Sequence, residues 1–122
     1  MEVVLDSNFI ISCVKKKIDF MSELQQMGFK IVIPREVLQE LKDLRLDVSH
    51  DDRIAIDLGV EMLEKAGAKK IKIGGQKVDD ALIDRGKSNG SYIASLDAYI
   101  KRSVPNKVTI NTASNKLQIE RS

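Results

Sequence analysis

The chain has a single cysteine, Cys13, so no disulfide can form within it, and a reducing cytoplasm is the expected compartment. One histidine, His50, and one cysteine are too few to build a zinc site. Cys13 also lacks a histidine placed to activate it, which assigns it to the core rather than to nucleophilic chemistry. His50 sits among Asp47, Asp51 and Asp52 in a polar stretch and reads as a solvated residue, not a general base. Aromatic residues make up only 4% of the chain. Tyr92, Tyr99 and three phenylalanines offer no platform on which successive bases would stack, so recognition by shape or through a partner protein is expected in place of a base code. No apolar run approaches the roughly 18–20 residues needed to cross a bilayer. The opening MEVVLD puts an acid where a secretory leader carries bases, so no membrane association is expected.

The 122 residues that are present suffice for one hydrophobic core but not for two, and a single domain over residues 1–122 is expected. Apolar residues at 43% and charged residues at 31% are the balance of a folded globular protein. The net charge of +2 says little, but lysines cluster at Lys15–Lys17, at Lys69, Lys70 and Lys72, and, with Arg102, at Lys101. Basic clusters beside a carboxylate-rich site would attract a phosphodiester despite the acids; solvated helix and strand ends explain them equally well.

Strands alternate with helices along the chain. Glu2 to Asp6 is a short β-branched run, and an apolar helical pattern follows, with Ser7 or Asn8 able to cap it. Asp19 to Gly28 reads as a helix and Lys30 to Ile33 as a strand. Pro34 then fits the first position of a helix carrying Val37, Leu38, Leu41 and Leu44 inward. Leu46 to Asp52 is the most polar connection, followed by a helix over about Arg53 to Ala66. Lys69 to Ile73 is a strand, and Val78 to Lys87 a helix. Ser91 to Leu96 is a strand, Tyr99 to Ser103 a short helix, and Lys107 to Ile110 a fifth strand. The terminal KLQIE alternates as an added edge strand would. The expected fold is therefore a three-layer α/β/α sandwich around a mostly parallel five-stranded sheet.

In such sheets functional groups gather beyond the carboxyl ends of the strands. Asp6 closes the first strand and Asp97 follows the fourth, so both emerge on one edge. Asp79 and Asp80 open the helix after the third strand, and Glu40 lies on the partly buried face of the helix after the second. Carboxylates brought together repel, and a hard divalent cation with oxygen ligands relieves the conflict. Each acid also has a plainer explanation. Asp6 suits a helix cap, Glu36 or Asp43 would serve as well as Glu40 on a solvated helix, and Asp79 and Asp80 both favour a helix N-terminus.

Four segments carry a family likeness. VVLDSNFII is a hydrophobic strand ending in Asp, then a hydroxyl residue and Asn. PREVLQEL has Glu before Leu on the helix after the second strand. VDDALIDRG has Asp followed by small and aliphatic residues, and YIASLDAYIKR is an apolar strand ending in Ser, one residue, then Asp. Together they resemble the PIN-domain nucleases over nearly the whole chain. The resemblance implies an Mg²⁺- or Mn²⁺-dependent endoribonuclease in which Asp6, Glu40, Asp80 and Asp97 are the catalytic, metal-binding acids. Asn8 and Ser95 match positions that orient those acids, and Ser7 stands where threonine is commoner. The motif favours Asp80, whereas helical phase puts Asp79 on the apolar side with Val78, Leu82 and Ile83; Asp80 is assigned as ligand and Asp79 as its supporting neighbour.

The length and the paired Asp79–Asp80 resemble short stand-alone members tied to ribosomal-RNA processing more than toxins of the VapC type. The implied partners are an RNA substrate, a second copy of the chain, and a protein such as an antitoxin or ribosome-assembly factor. Two other functions stay open: a PIN-like module that binds RNA or protein without cutting, and a phosphoacceptor receiver domain. The receiver class wants paired acids after the first strand and a lysine after the last, and neither is present.

Overall fold

Side chains along a strand alternate between the two faces of a sheet, and this chain fills both faces with apolar residues. The computed structural model describes residues 1–121. Its elements run β1 (Glu2–Leu5), α1 (Ser7–Lys15), α2 (Phe20–Gln26), β2 (Lys30–Pro34), α3 (Arg35–Leu44), α4 (His50–Lys65), β3 (Lys69–Ile71), α5 (Val78–Ser88), β4 (Tyr92–Ala94), α6 (Ala98–Ser103), β5 (Asn106–Asn111) and β6 (Lys116–Arg121). Val3, Leu5, Ile31, Ile33, Tyr92, Ala94 and Val108 face a larger core shared with α1 to α4, where Phe9, Phe20, Leu24, Leu41 and Ile56 are buried. Val4, Val32 and Ile93 face a smaller core closed by Leu82, Ile100 and Val104 from α5, α6 and the residue after it. The result is a three-layer α/β/α sandwich.

The sheet order is β3-β2-β1-β4-β5-β6. All neighbours are parallel except β5 and β6, which pair antiparallel from Asn106↔Arg121 to Asn111↔Lys116. The sheet thus has six strands where five plus a candidate edge were expected. A tight turn makes the sixth: the Asn111 side-chain oxygen accepts from the Ala113 and Ser114 N–H groups at 3.0 and 3.2 Å, and Asn115 takes a left-handed φ of 55°. The terminal run then folds straight back, burying Leu117. A receiver domain would instead follow the order 2-1-3-4-5, so the topology removes that alternative.

Local chemistry shifts several expected boundaries. Neither Ser7 nor Asn8 caps α1; the cap is Asp6, whose carboxylate accepts from Ser7 N–H. Pro34 keeps an extended ψ of 138° as the last residue of β2, so α3 starts one residue later than proline's preference for the first helical position suggested. Leu44, expected inward, is 38% exposed at the end of α3, where the chain turns off and Arg45 grips Asp57 of α4 at 2.6 and 3.0 Å. α4 begins at His50, because Ser49 accepts from Asp52 N–H and Asp51 and Asp52 suit the positive helix end. β3 stops at Ile71 because Glu36, in the first turn of α3, captures the Ile73 and Gly74 N–H groups at 3.1 and 3.2 Å.

Candidate active site

β1 lies between β2 and β4, so the chain fills one side of the sheet with β2 and β3 and then returns to the other side. That reversal falls between β1 and β4, and the carboxyl ends of the strands beside it are where open α/β sheets bind ligands. Asp6 follows β1 there, and Asp97 caps the helix after β4. Asp6 N–H donates to the Ala94 carbonyl at 2.9 Å, which carries the β1–β4 ladder up to the acid itself.

Ser95 ties the two strand ends together. Its hydroxyl donates to Asp6 Oδ2 at 2.8 Å and accepts from Asp97 N–H at 3.1 Å. Asn8 Oδ1 accepts from Leu96 N–H at 3.0 Å, and that contact holds the β4–α6 turn against the start of α1. Asp97 caps α6, its Oδ1 accepting from Ile100 N–H at 3.0 Å. Glu40 reaches the same region from α3: Ser7 donates to its Oε1 at 2.6 Å. Because Asp6 does the capping, the Ser7 hydroxyl is free for that bond across 33 residues of sequence.

The paired acids of α5 diverge. Asp79 feels the charges of both Asp97 and Asp80, and its own charge acts on Asp6. Asp80 instead accepts a long 3.4 Å hydrogen bond from the Tyr99 hydroxyl on the exposed side. Of the residues singled out from sequence, the structure therefore couples Asp6, Glu40, Asp79 and Asp97, with Ser95 and Asn8 between them, and turns Asp80 toward Tyr99. From the sequence Ser7 reads only as a possible cap of α1 and as a motif position where threonine is commoner, and Glu36 only as a solvated helix residue; neither reading gives its bond to Glu40 or to the Ile73 and Gly74 amides. Tyr99 carries no sequence signal for its contact with Asp80.

The electrostatics of the cluster are unfavourable as it stands. Asp6 is 3% exposed, and burial pushes its carboxyl up to about 6, opposed by the Ser95 and Ser7 hydrogen bonds and reinforced by Glu40 and Asp79. Asp79 is also raised, first by desolvation and then by Asp97 and Asp80, against the nearby Lys77. Elsewhere acids have cations. Glu2, at the opposite edge of the sheet, holds Arg85 in a fork at 3.0 Å twice over, Asp52 holds Lys15, and Asp57 holds Arg45. Among the described residues no ion pair reaches Asp6, Glu40, Asp79, Asp80 or Asp97.

The donor set is all oxygen, which suits a hard divalent cation such as Mg²⁺ and not a soft one. Among the described residues no three acidic, histidine or cysteine side chains converge closely enough to cage an ion. A Mg²⁺ bound through one or two carboxylates and several waters needs no such cage. The buried Asp6, with no counter-charge, is the group that fits it.

The expected basic surround is only partly there. Lys15 to Lys17 lie at the far end of α1, about 14 Å along its axis from Asp6 at 1.5 Å per residue, and Lys15 is engaged by Asp52 at 2.7 Å. Lys69 and Lys70 of β3, two strands away from β1, pair with Val32 and Ile33 in the carboxyl-terminal half of β2, and Lys72 follows β3. Lys101 and Arg102 are one turn into α6, the helix that Asp97 caps.

A family model described as a PIN like domain matches residues 3–112. No curated protein matches the chain. Among solved structures, a domain of a functionally unknown protein from Methanocaldococcus jannaschii DSM 2661 is similar, with a TM-score of 0.51 and 16% sequence identity over 83% of this chain and 81% of that one. At that identity the likeness is one of fold. No helix among the described residues is long and apolar enough to cross a membrane.

Proposed function

The chain belongs to the PIN-like domain family, and from that premise we propose that it is a metal-dependent endoribonuclease. Asp6, Glu40, Asp79 and Asp97 form its working acids, and Mg²⁺ or Mn²⁺ is its cofactor. The observation that carries this reading is the buried, cation-free Asp6 carboxylate at the carboxyl ends of β1 and β4, with Glu40 and Asp79 acting on it. Asp79 replaces Asp80 as the acid supplied by α5, because it is electrostatically coupled to both Asp6 and Asp97. Processing of ribosomal RNA is the role we propose for such a nuclease, on the strength of the paired Asp79–Asp80.

A bound divalent cation would neutralise the acids and stabilise charge developing on the scissile phosphate. The chain's own residues do the rest. Ser95 fixes the Asp6 carboxylate and the start of α6 relative to each other, so that Asp6 and Asp97 present oxygens across a constant gap. Ser7 holds Glu40 by Oε1, and Oε2 accepts no hydrogen bond among the described residues. That oxygen takes a proton of the attacking water as the new P–O bond forms, and the bond to the ribose oxygen breaks with the departing oxygen taking a proton from solvent water.

A second reading, an RNA- or protein-binding module that does not cut, is favoured by the one observation that no three acids converge. Incubation with structured and single-stranded RNA, in Mn²⁺ and in EDTA, separates the two. Cleavage that requires Mn²⁺ and disappears in Asp6→Asn and Asp97→Asn supports the nuclease. Binding of RNA without cleavage under either condition supports the module, and cutting unchanged in Asp6→Asn rules out the assigned site.

A further inference from the structure

Of the chain's three phenylalanines and two tyrosines, only Tyr99 is exposed, at 49%; Phe9, Phe20, Phe29 and Tyr92 are all buried. Tyr99 lies in the first turn of α6, two residues after Asp97 and so about 3 Å further along the helix axis. The helix beneath it is fixed, because Ile100 is fully buried in the smaller core and Asp97 accepts from Ile100 N–H at 3.0 Å. The Tyr99 hydroxyl donates to Asp80 Oδ1 at 3.4 Å. Among the described residues no second ring or guanidinium stacks on the Tyr99 ring. A lone exposed apolar side chain needs no explanation. An open aromatic ring beside the working acids does.

The other side of α6 is basic. An open groove of about 410 Å³ runs there, lined by Ala98, Lys101, Arg102, Lys107 and Glu120. Lys107 reaches it because its neighbour Val108 faces the larger core, and strand alternation turns Lys107 to the face shared with Ile93 and α6. Three cations thus face one acid, and Glu120 already accepts from the Thr109 hydroxyl at 3.0 Å. Among the described residues no ion pair engages Lys101, Arg102 or Lys107. The groove begins at Ala98, the residue after Asp97, so acid, ring and groove all belong to one short helix.

Resting on the nuclease reading of the Asp6 and Asp97 site, we propose that Tyr99 stacks one unpaired base beside the scissile phosphate. The groove of Lys101, Arg102 and Lys107 carries the phosphates of the strand leading away from it. The substrate class is therefore RNA with an unstacked nucleotide at the cut: a loop, a bulge or a single strand. A base inside a duplex has both faces covered by its neighbours and offers none to Tyr99. One ring grips one base and does not read its identity, since every base has a π-face. Selectivity is for unpaired structure, with no base code. The three cations supply the attraction for phosphate that the acids beside them lack.

Anisotropy of a labelled oligoribonucleotide in EDTA tests the subsite without any cleavage. The wild type should bind a single strand more tightly than the same strand in a duplex. Tyr99→Ala, with the fold checked by circular dichroism, should weaken single-strand binding roughly 5- to 100-fold, the loss of one base stack. Tyr99→Phe keeps the ring and should bind as the wild type does. Lys101→Ala with Lys107→Ala should reduce the slope of log affinity against log salt by roughly 0.7 for each phosphate contact removed. In Mn²⁺ the wild type should cut at unpaired positions, and Tyr99→Ala should lose that preference. Equal affinity of Tyr99→Ala and wild type for the single strand overturns the proposal, as does a Tyr99→Phe as weak as Tyr99→Ala. Tyr99-dependent binding without metal-dependent cutting keeps the base-stacking site and removes the nuclease. Metal-dependent cutting indifferent to Tyr99→Ala keeps the nuclease and removes the base-stacking site.

Discussion

Replacing Asp6 by Asn should make the metal-free protein more stable at pH 8 while removing the proposed activity. The Asp6 carboxyl is raised from 3.8 to about 6 by burial, with Glu40 and Asp79 adding to the shift. A raised folded-state value means that the group's stabilising contribution is fully present below pH 4 and is lost as pH climbs through 6. At 1.36 kcal/mol per pH unit, ionising Asp6 in the folded state costs about 3 kcal/mol at neutral pH and above. Asparagine escapes that cost, is nearly isosteric and is a good helix cap. Its oxygen can accept from Ser7 N–H, and its amide can donate to Ser95 Oγ where the carboxylate now accepts. Allowing for relaxation around the charged wild type, the gain should be about 1–3 kcal/mol, or several degrees in Tm for a domain of this size.

Urea and thermal melts in EDTA, at pH 8 and at pH 4, measure this gain directly. The advantage of Asp6→Asn should be present at pH 8 and vanish at pH 4, where wild-type Asp6 is protonated. Mg²⁺ at a hundredfold excess over its dissociation constant should stabilise the wild type by about 2.7 kcal/mol and narrow the gap. An Asp6→Asn protein no more stable than wild type at pH 8, or one whose gain is the same at both pH values, would refute the electrostatic argument.

Other outcomes follow from the same geometry. Asp79→Asn should lower Mn²⁺-dependent cleavage by roughly a hundredfold or more, as loss of a transition-state electrostatic contact does, and Asp80→Asn by far less; kcat/KM for the two variants checks the order. Ser7→Ala removes the hydrogen bond that positions Glu40. It should cost about 1 kcal/mol in urea melts and reduce the cleavage rate more than Asp43→Asn, a charge loss elsewhere on α3. A Cβ added to Gly86 would meet Val104 Cγ1 at 2.8 Å and Ile93 Cγ1 at 3.1 Å. Overpacking of about 1–3 kcal/mol should outweigh the roughly 1 kcal/mol that alanine gains in a helix, so Gly86→Ala should melt lower than wild type.

Much of the fold was legible because its signals are local. The β-branched run before Asp6, the apolar periodicity of α3 and α5 and the alternation in KLQIE depend only on neighbours a few residues apart. The places where expectation and structure differ are those where a distant group intervenes. Glu36 shortens β3 by taking two amides far along the chain. Ser49 and the acids after it draw the polar stretch around His50 into α4. The sixth strand needed a partner, β5, before alternation meant anything.

For the candidate site the division is similar. Strand-end position and parallel topology put Asp6 and Asp97 on one edge from sequence alone, because a residue closing a parallel strand has little choice of edge. For α5 the sequence assigned Asp80 as the ligand and Asp79, on helical phase, as its better-buried neighbour, and in the structure both carboxylates are exposed. What only the tertiary structure decided is how these acids are connected. Ser95 joins Asp6 to the start of α6, Ser7 spends its hydroxyl on Glu40, and the rotation of α5 turns Asp79 toward Asp97 and Asp80 toward Tyr99. Such bonds depend on the packing of elements tens of residues apart, and no local pattern encodes that distance or that angle.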